Sequence, residues 1–96
     1  MNYSEIAADE TLRPLFIKYL RSDIVVGRLK DPAQCTKAEF AKNIEFVRQC
    51  DQDLLSLIGT LLLKFPDSDP KEIIMEVEKV FLKQYSIDDF LKKRVQ

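Results

Sequence analysis

Histidine and tryptophan are absent from the chain, and its 96 residues hold only two glycines, two cysteines and four prolines. Without histidine, the side chain that most often moves protons and binds metals near neutral pH is missing, which excludes most of the usual catalytic arrangements. Gly27 and Gly59 stand too far apart to build a phosphate-cradling loop, because such a loop needs clustered glycines to bring backbone N–H groups onto the anion. Cys35 and Cys50 have no cysteine or histidine at zinc-binding spacing, and a nucleophilic cysteine without a neighbouring histidine lacks its ordinary activator. Two distant cysteines also fall short of the density of a secreted disulfide scaffold, so the pattern predicts reduced thiols and a cytoplasmic location. A long apolar run is lacking too. The richest, Leu54 to Leu63, is interrupted by Ser56, Gly59 and Thr60 and is too short to span a bilayer. The opening Met1-Asn2-Tyr3-Ser4-Glu5 has neither the positive region nor the apolar stretch of a secretory signal.

What the chain does contain is apolar and charged material in helical order. Apolar residues make up 46% of it, with six phenylalanines, which is enough for one core in a chain at the lower edge of ordinary domain size. The scarcity of glycine and proline leaves little for tight turns, bulges or linkers, and so favours helices joined by short loops. No internal repeat and no low-complexity segment interrupts this pattern. The expected fold is all-α, a compact bundle of four to five helices forming a single domain over residues 1–96.

Residues 1–10 offer a short turn opened by Ser4, with Ala7 and Ala8 giving it little to bury, and read as a frayed lead-in. The first full helix is expected near Pro14, with Thr11 as its cap, because proline suits a first-turn position whose N–H would be unpaired anyway. Leu12, Leu15, Phe16, Tyr19, Leu20 and Ile24 recur at intervals of three and four and form its inner stripe. That helix fades near Gly27, and Asp31-Pro32 marks a loop. Thr36 and Glu39 have capping-box spacing and start the next helix. Its apolar positions are Phe40, Ile44, Val47, Leu54, Ile58, Leu61 and Phe65, with Asp51 where one more apolar residue is due.

Two readings of Lys37 to Lys64 follow, one long bent helix or two helices broken near Cys50-Asp51. The break is favoured, since an unbroken helix of about 40 Å exceeds the width of a compact domain this small. Leucines cover nearly the whole circumference from Leu54 to Leu63, which predicts the centre of the core there. Pro66 ends that segment, and Asp69 caps another helix with Pro70 as its first residue. This helix runs to about Gln84 and buries Ile73, Ile74, Val77, Val80 and Phe81. Ser86 with Asp89 opens a short last helix that turns Ile87, Phe90, Leu91 and Val95 inward.

No combination of side chains points to chemistry. Asp67-Ser68-Asp69 lacks the glycine turn and the carboxylate series of a calcium loop. The acidic pairs Asp51 with Asp53 and Asp88 with Asp89 sit where helix starts are expected, and there the helix dipole explains them. No catalytic residue, metal ligand or cofactor is assigned.

Charge distribution says more than the net charge of -1. Arg13, Lys18, Arg21, Arg28 and Lys30 face a single Asp23 and make the first full helix and its exit basic, while most carboxylates lie from Asp51 onward. At about 100° per residue, Arg13, Lys18, Arg21 and Arg28 fall opposite Leu15 and Tyr19, with Ile17 and Val25 among them. Apolar side chains ringed by arginine suit a partner surface, so Ile17, Arg21, Val25 and Arg28 are the candidate partner-binding residues of a non-enzymatic protein-binding or regulatory module. A solvated face whose Ile17 and Val25 are covered by the amino-terminal segment is the plain structural alternative. A small transcription-associated factor contacting DNA or RNA polymerase is the functional alternative. Nucleic acid is disfavoured because the longest basic run is Lys92-Lys93-Arg94, which suits a helix C-terminus better. The partner is expected to be another protein, and self-association would also consume exposed apolar residues.

Asn43-Ile44-Glu45-Phe46 with Cys50 resembles a short stretch of regulator of G-protein signalling domains, and Phe16 to Leu20 is similar to the helix that precedes it there. Val47 stands where that family carries tryptophan, the two pieces are too far apart, and the chain is shorter than the family's domain. The family is therefore not assigned, and no residue takes a role from it.

Overall fold

The computed structural model describes residues 2–92. It contains five α-helices among the described residues: α1 (Tyr3–Ala8), α2 (Leu12–Gly27), α3 (Lys37–Lys64), α4 (Pro70–Gln84) and α5 (Ile87–Lys92), with a single 3-10 turn at Pro32–Gln34. The fold is an all-α helix bundle.

Helix ends follow local chemistry. The Thr36 hydroxyl accepts from the Glu39 N–H at 3.2 Å while the Glu39 carboxylate accepts from the Thr36 N–H at 3.1 Å, so the capping box closes on both sides. Asp69 caps α4 by accepting from the Lys71 N–H at 2.9 Å, with Pro70 as the first helical residue. Ser86 and Asp89 exchange the corresponding bonds at the start of α5. The start of α2 differs from expectation. Thr11 makes no capping bond; the Asp9 carboxylate accepts from the N–H groups of Thr11 at 2.8 Å and Leu12 at 2.9 Å, and Lys64 Nζ lies 3.0 Å from it. An aspartate three residues before Leu12 reaches the open N–H groups as well as a cap residue would, and it gains a cation from the end of α3.

The expected break at Asp51 is absent. α3 runs unbroken for 28 residues, and the molecule accommodates it by being elongated, with principal extents of 45 × 26 × 22 Å. An unbroken α3 fits because it is not confined to the core: its carboxyl part packs there, while its amino part runs on along α2 with Phe40, Ile44 and Val47 exposed.

The core gathers Ile6 and Ala7 of α1, Leu12, Phe16 and Leu20 of α2, Leu57 and Leu61 of α3, Ile73, Ile74, Val77 and Phe81 of α4, and Phe90 of α5. Phe81 is its hub, with ring centroids 6.4 Å from Phe16, 6.4 Å from Tyr85 and 6.0 Å from Phe90. The amino-terminal segment has more to bury than its alanines suggest, since Ile6 and Ala7 are both sealed against the other helices. By contrast, the leucine-rich stretch of α3 is not buried all round: Leu57 and Leu61 are fully buried, but Leu55 is 68% and Leu63 86% exposed. Of the inward positions expected in α5, Phe90 is buried and Ile87 is exposed, while Val95 lies outside the described residues. Among the described residues, no helix is long and apolar enough to cross a membrane.

Candidate functional site

Where α2 and α3 run side by side they leave an open groove of about 700 Å³. Its wall on α2 is Arg13, Pro14, Ile17, Lys18, Arg21, Ser22 and Val25, and on α3 it is Phe46, Gln49 and Asp53. Three of the four residues read from the sequence as a partner surface, Ile17, Arg21 and Val25, line this groove. The fourth, Arg28, lies past its end; it is exposed, and its Nη2 is 3.8 Å from an Asp88 carboxylate oxygen of α5. An exposed pair at that distance contributes little. No α1 residue lines the groove, so the amino-terminal segment does not form the cover considered for Ile17 and Val25.

Asp53 closes the floor. Its side chain is 3% exposed, and it accepts from Ser22 Oγ and from Gln49 Nε2 at 3.0 Å, with Lys18 Nζ at 3.4 Å. A carboxylate out of water needs such donors, because its desolvation is otherwise uncompensated. Ser22 and Lys18 of α2 thus tie that helix to Asp53 of α3, with Gln49 of α3 supplying the remaining bond. Sequence reasoning missed it by placing Asp53 at a helix start. With α3 continuous, Phe46, Cys50, Asp53 and Leu57 follow each other at four, three and four residues, which puts Asp53 on the inner face. That spacing was the available signal.

Arg21 is the least satisfied group in the site. Its Nε is shut off from solvent and has no hydrogen-bond partner among the described residues. Burial lowers its pKa from the ordinary arginine value, as expected for a cation drawn out of water. It also borders a smaller cleft of about 100 Å³, lined by Arg13, Ile17, Tyr85, Asp89 and Phe90 on the α5 side. Arg13, by comparison, is structurally committed: its Nη2 donates to Tyr85 Oη at 2.8 Å, and its guanidinium carbon lies 5.3 Å from the Phe81 ring centroid.

The cysteines are not near one another in role. Cys35 sits half-buried in the α2–α3 connection, 3.4 Å from Asn43 Nδ2, and Cys50 is buried on α3. Burial pushes the Cys50 thiol up to about 11, so little thiolate forms near neutral pH. Among the described residues, no three histidine, cysteine, aspartate or glutamate side chains come together as a metal site. Comparison of the chain with protein families, with curated proteins and with solved structures finds no match.

Proposed function

We propose that the chain is a non-enzymatic protein-binding module whose α2–α3 groove receives an apolar segment of a partner protein and fixes it with a carboxylate on Arg21. The observation that carries this reading is the pairing, in one groove, of the apolar walls Ile17, Val25 and Phe46 with an arginine whose Nε has no acceptor. A buried donor left unpaired costs about 1–3 kcal/mol, so any acceptor that lets the guanidinium swing into a charge-assisted bond is favoured. The walls contribute buried apolar area, and the rim cations Lys18 and Arg21 select for acidic segments. Both thiols are unpaired, which fits a reducing, cytoplasmic setting.

The test uses two designed amphipathic helical peptides with the same leucine face, one with glutamate and the other with lysine at its centre, titrated against isotope-labelled protein by NMR. The expected result is shifts at Ile17, Val25 and Phe46 with the glutamate peptide, weakened at least tenfold by Arg21→Glu. Equal binding of both peptides, or shifts confined to other helices, overturns the reading. Retention on duplex DNA at low salt, abolished by the same substitution, would replace it with the nucleic-acid alternative.

A further inference from the structure

The solvent side of α3 carries an apolar seam that runs nearly its full length. Phe40, Ile44, Val47, Leu55 and Leu62 lie along it, between 37% and 68% exposed, with Ile58 on the same line but half-buried against the core and Asp51 in the middle. Single exposed apolar side chains are ordinary, but five on one line of a helix, broken only by Asp51 and the half-buried Ile58, form a larger patch than a solvated face needs. At about 100° per residue, the seam lies roughly opposite Phe46, Gln49 and Asp53, so it is separate from the groove.

Its spacing is symmetric about Asp51. From Phe40 the intervals to Asp51 are four, three and four, and from Asp51 to Leu62 they are again four, three and four. Two consecutive eleven-residue repeats hold a seam on one face of a nearly straight helix, without the left-handed coiling that sevens impose. A line that reads alike in both directions is self-complementary under a two-fold rotation.

We propose that two copies of the chain pair antiparallel along this seam, with the dyad at Asp51. In that register Phe40 meets Leu62 of the other copy, Ile44 meets Ile58 and Val47 meets Leu55, a large residue against a large one at every layer. Charge fixes the centre. Asp51 would face its own copy, but Arg48 of the second helix falls about 4.5 Å further along the axis, at 1.5 Å per residue, within reach of a salt bridge. The dyad makes that bridge twice. Among the described residues, neither Arg48 nor Asp51 has an ion-pair partner within the chain. A parallel pair also sets Asp51 beside Asp51, so crosslinking rather than charge reads the orientation.

Sedimentation equilibrium of the full chain from about 10 μM to about 1 mM tests the pairing, with a reversible monomer–dimer equilibrium expected. Ile44→Glu sets an unpaired charge into the seam and weakens association on the order of a hundredfold, while in dilute, monomeric solution its circular dichroism and Tm match those of the parent. Arg21→Glu, in the groove, leaves association unchanged. Cysteine crosslinking in a Cys35→Ser, Cys50→Ala background reads the register. Asp51→Cys forms a disulfide dimer by itself, and Val47→Cys crosslinks with Leu55→Cys but not with itself. A chain that stays monomeric up to 1 mM overturns the proposal and leaves the seam to a different protein. Efficient self-crosslinking of Val47→Cys overturns it in favour of a parallel pair.

Discussion

Arg21 brings stability and recognition into opposition at one side chain. Its aliphatic stem covers apolar neighbours between α2 and the clefts on either side, but its Nε has lost water and gained no acceptor. Arg21→Met keeps the length and apolar body while removing the unsatisfied donor. The expected result is a gain of about 1 kcal/mol, or several degrees in Tm for a domain of this size, together with loss of the preference for the glutamate peptide. A fall in Tm would mean that the guanidinium is already satisfied. Asp53 shows the opposite arrangement, a buried charge with its donors in place, and the contrast separates the two roles. Asp53 holds α2 against α3; Arg21 is left to meet something from outside.

At the scale of the helix, ends were far more legible than faces. Thr36 with Glu39, Asp69 with Pro70, and Ser86 with Asp89 mark starts that short-range bonds determine, so the sequence alone locates them. Continuity through Asp51 was not legible, because one aspartate costs a helix interior well under 1 kcal/mol and packing on both sides outweighs it. The leucine-rich run misled for a related reason: hydrophobicity on all sides states what a helix would bury, whereas the partners available in one chain determine what it does bury. Gly59 lies in this run, with nothing within 4 Å of where a Cβ would stand. Gly59→Ala is therefore expected to stabilise dilute protein by about 0.5–1 kcal/mol through backbone entropy alone, measured by urea denaturation. Asp9, at the start of α2, adds a dependence on acidity. The Leu12 N–H, Lys64 and the Thr11 N–H hold its pKa below the ordinary carboxylate value. A depressed folded pKa gives a contribution that is complete above about pH 4, the unfolded value, and disappears as pH falls through the lower folded one. The Tm gap between the parent and Asp9→Ala should be constant from pH 7 to 5 and narrow toward pH 3; a gap that widens in acid would contradict the capping role.

The whole molecule is a bundle with one helix too long for it. A Cα radius of gyration of 14.5 Å exceeds the roughly 12–13 Å expected of a compact chain of this length. The amino half of α3 leaves Phe40, Ile44 and Val47 exposed, while Asp53, Leu57 and Leu61 anchor the other half. A helix in which one half packs and the other stands in water should open unevenly, since protection follows the buried contacts that opening must break. The connection at 28–36 supplies some support through Lys30 with Glu39 at 3.1 Å and Asn43 with Cys35, but these are exposed or partly exposed contacts of small individual worth. Native-state hydrogen exchange on dilute protein should therefore find the amides of Leu57 to Leu61 opening only with global unfolding, and those from Phe40 to Val47 exchanging at least tenfold faster through local fraying. Raising the concentration into the range where copies pair should slow the second group most, because pairing covers Phe40, Ile44 and Val47 and must be undone before that half frays, while the first group gains only the added global stability of the dimer. Uniform protection along α3 at all concentrations would mean that the long helix is held as one cooperative unit by contacts within a single chain.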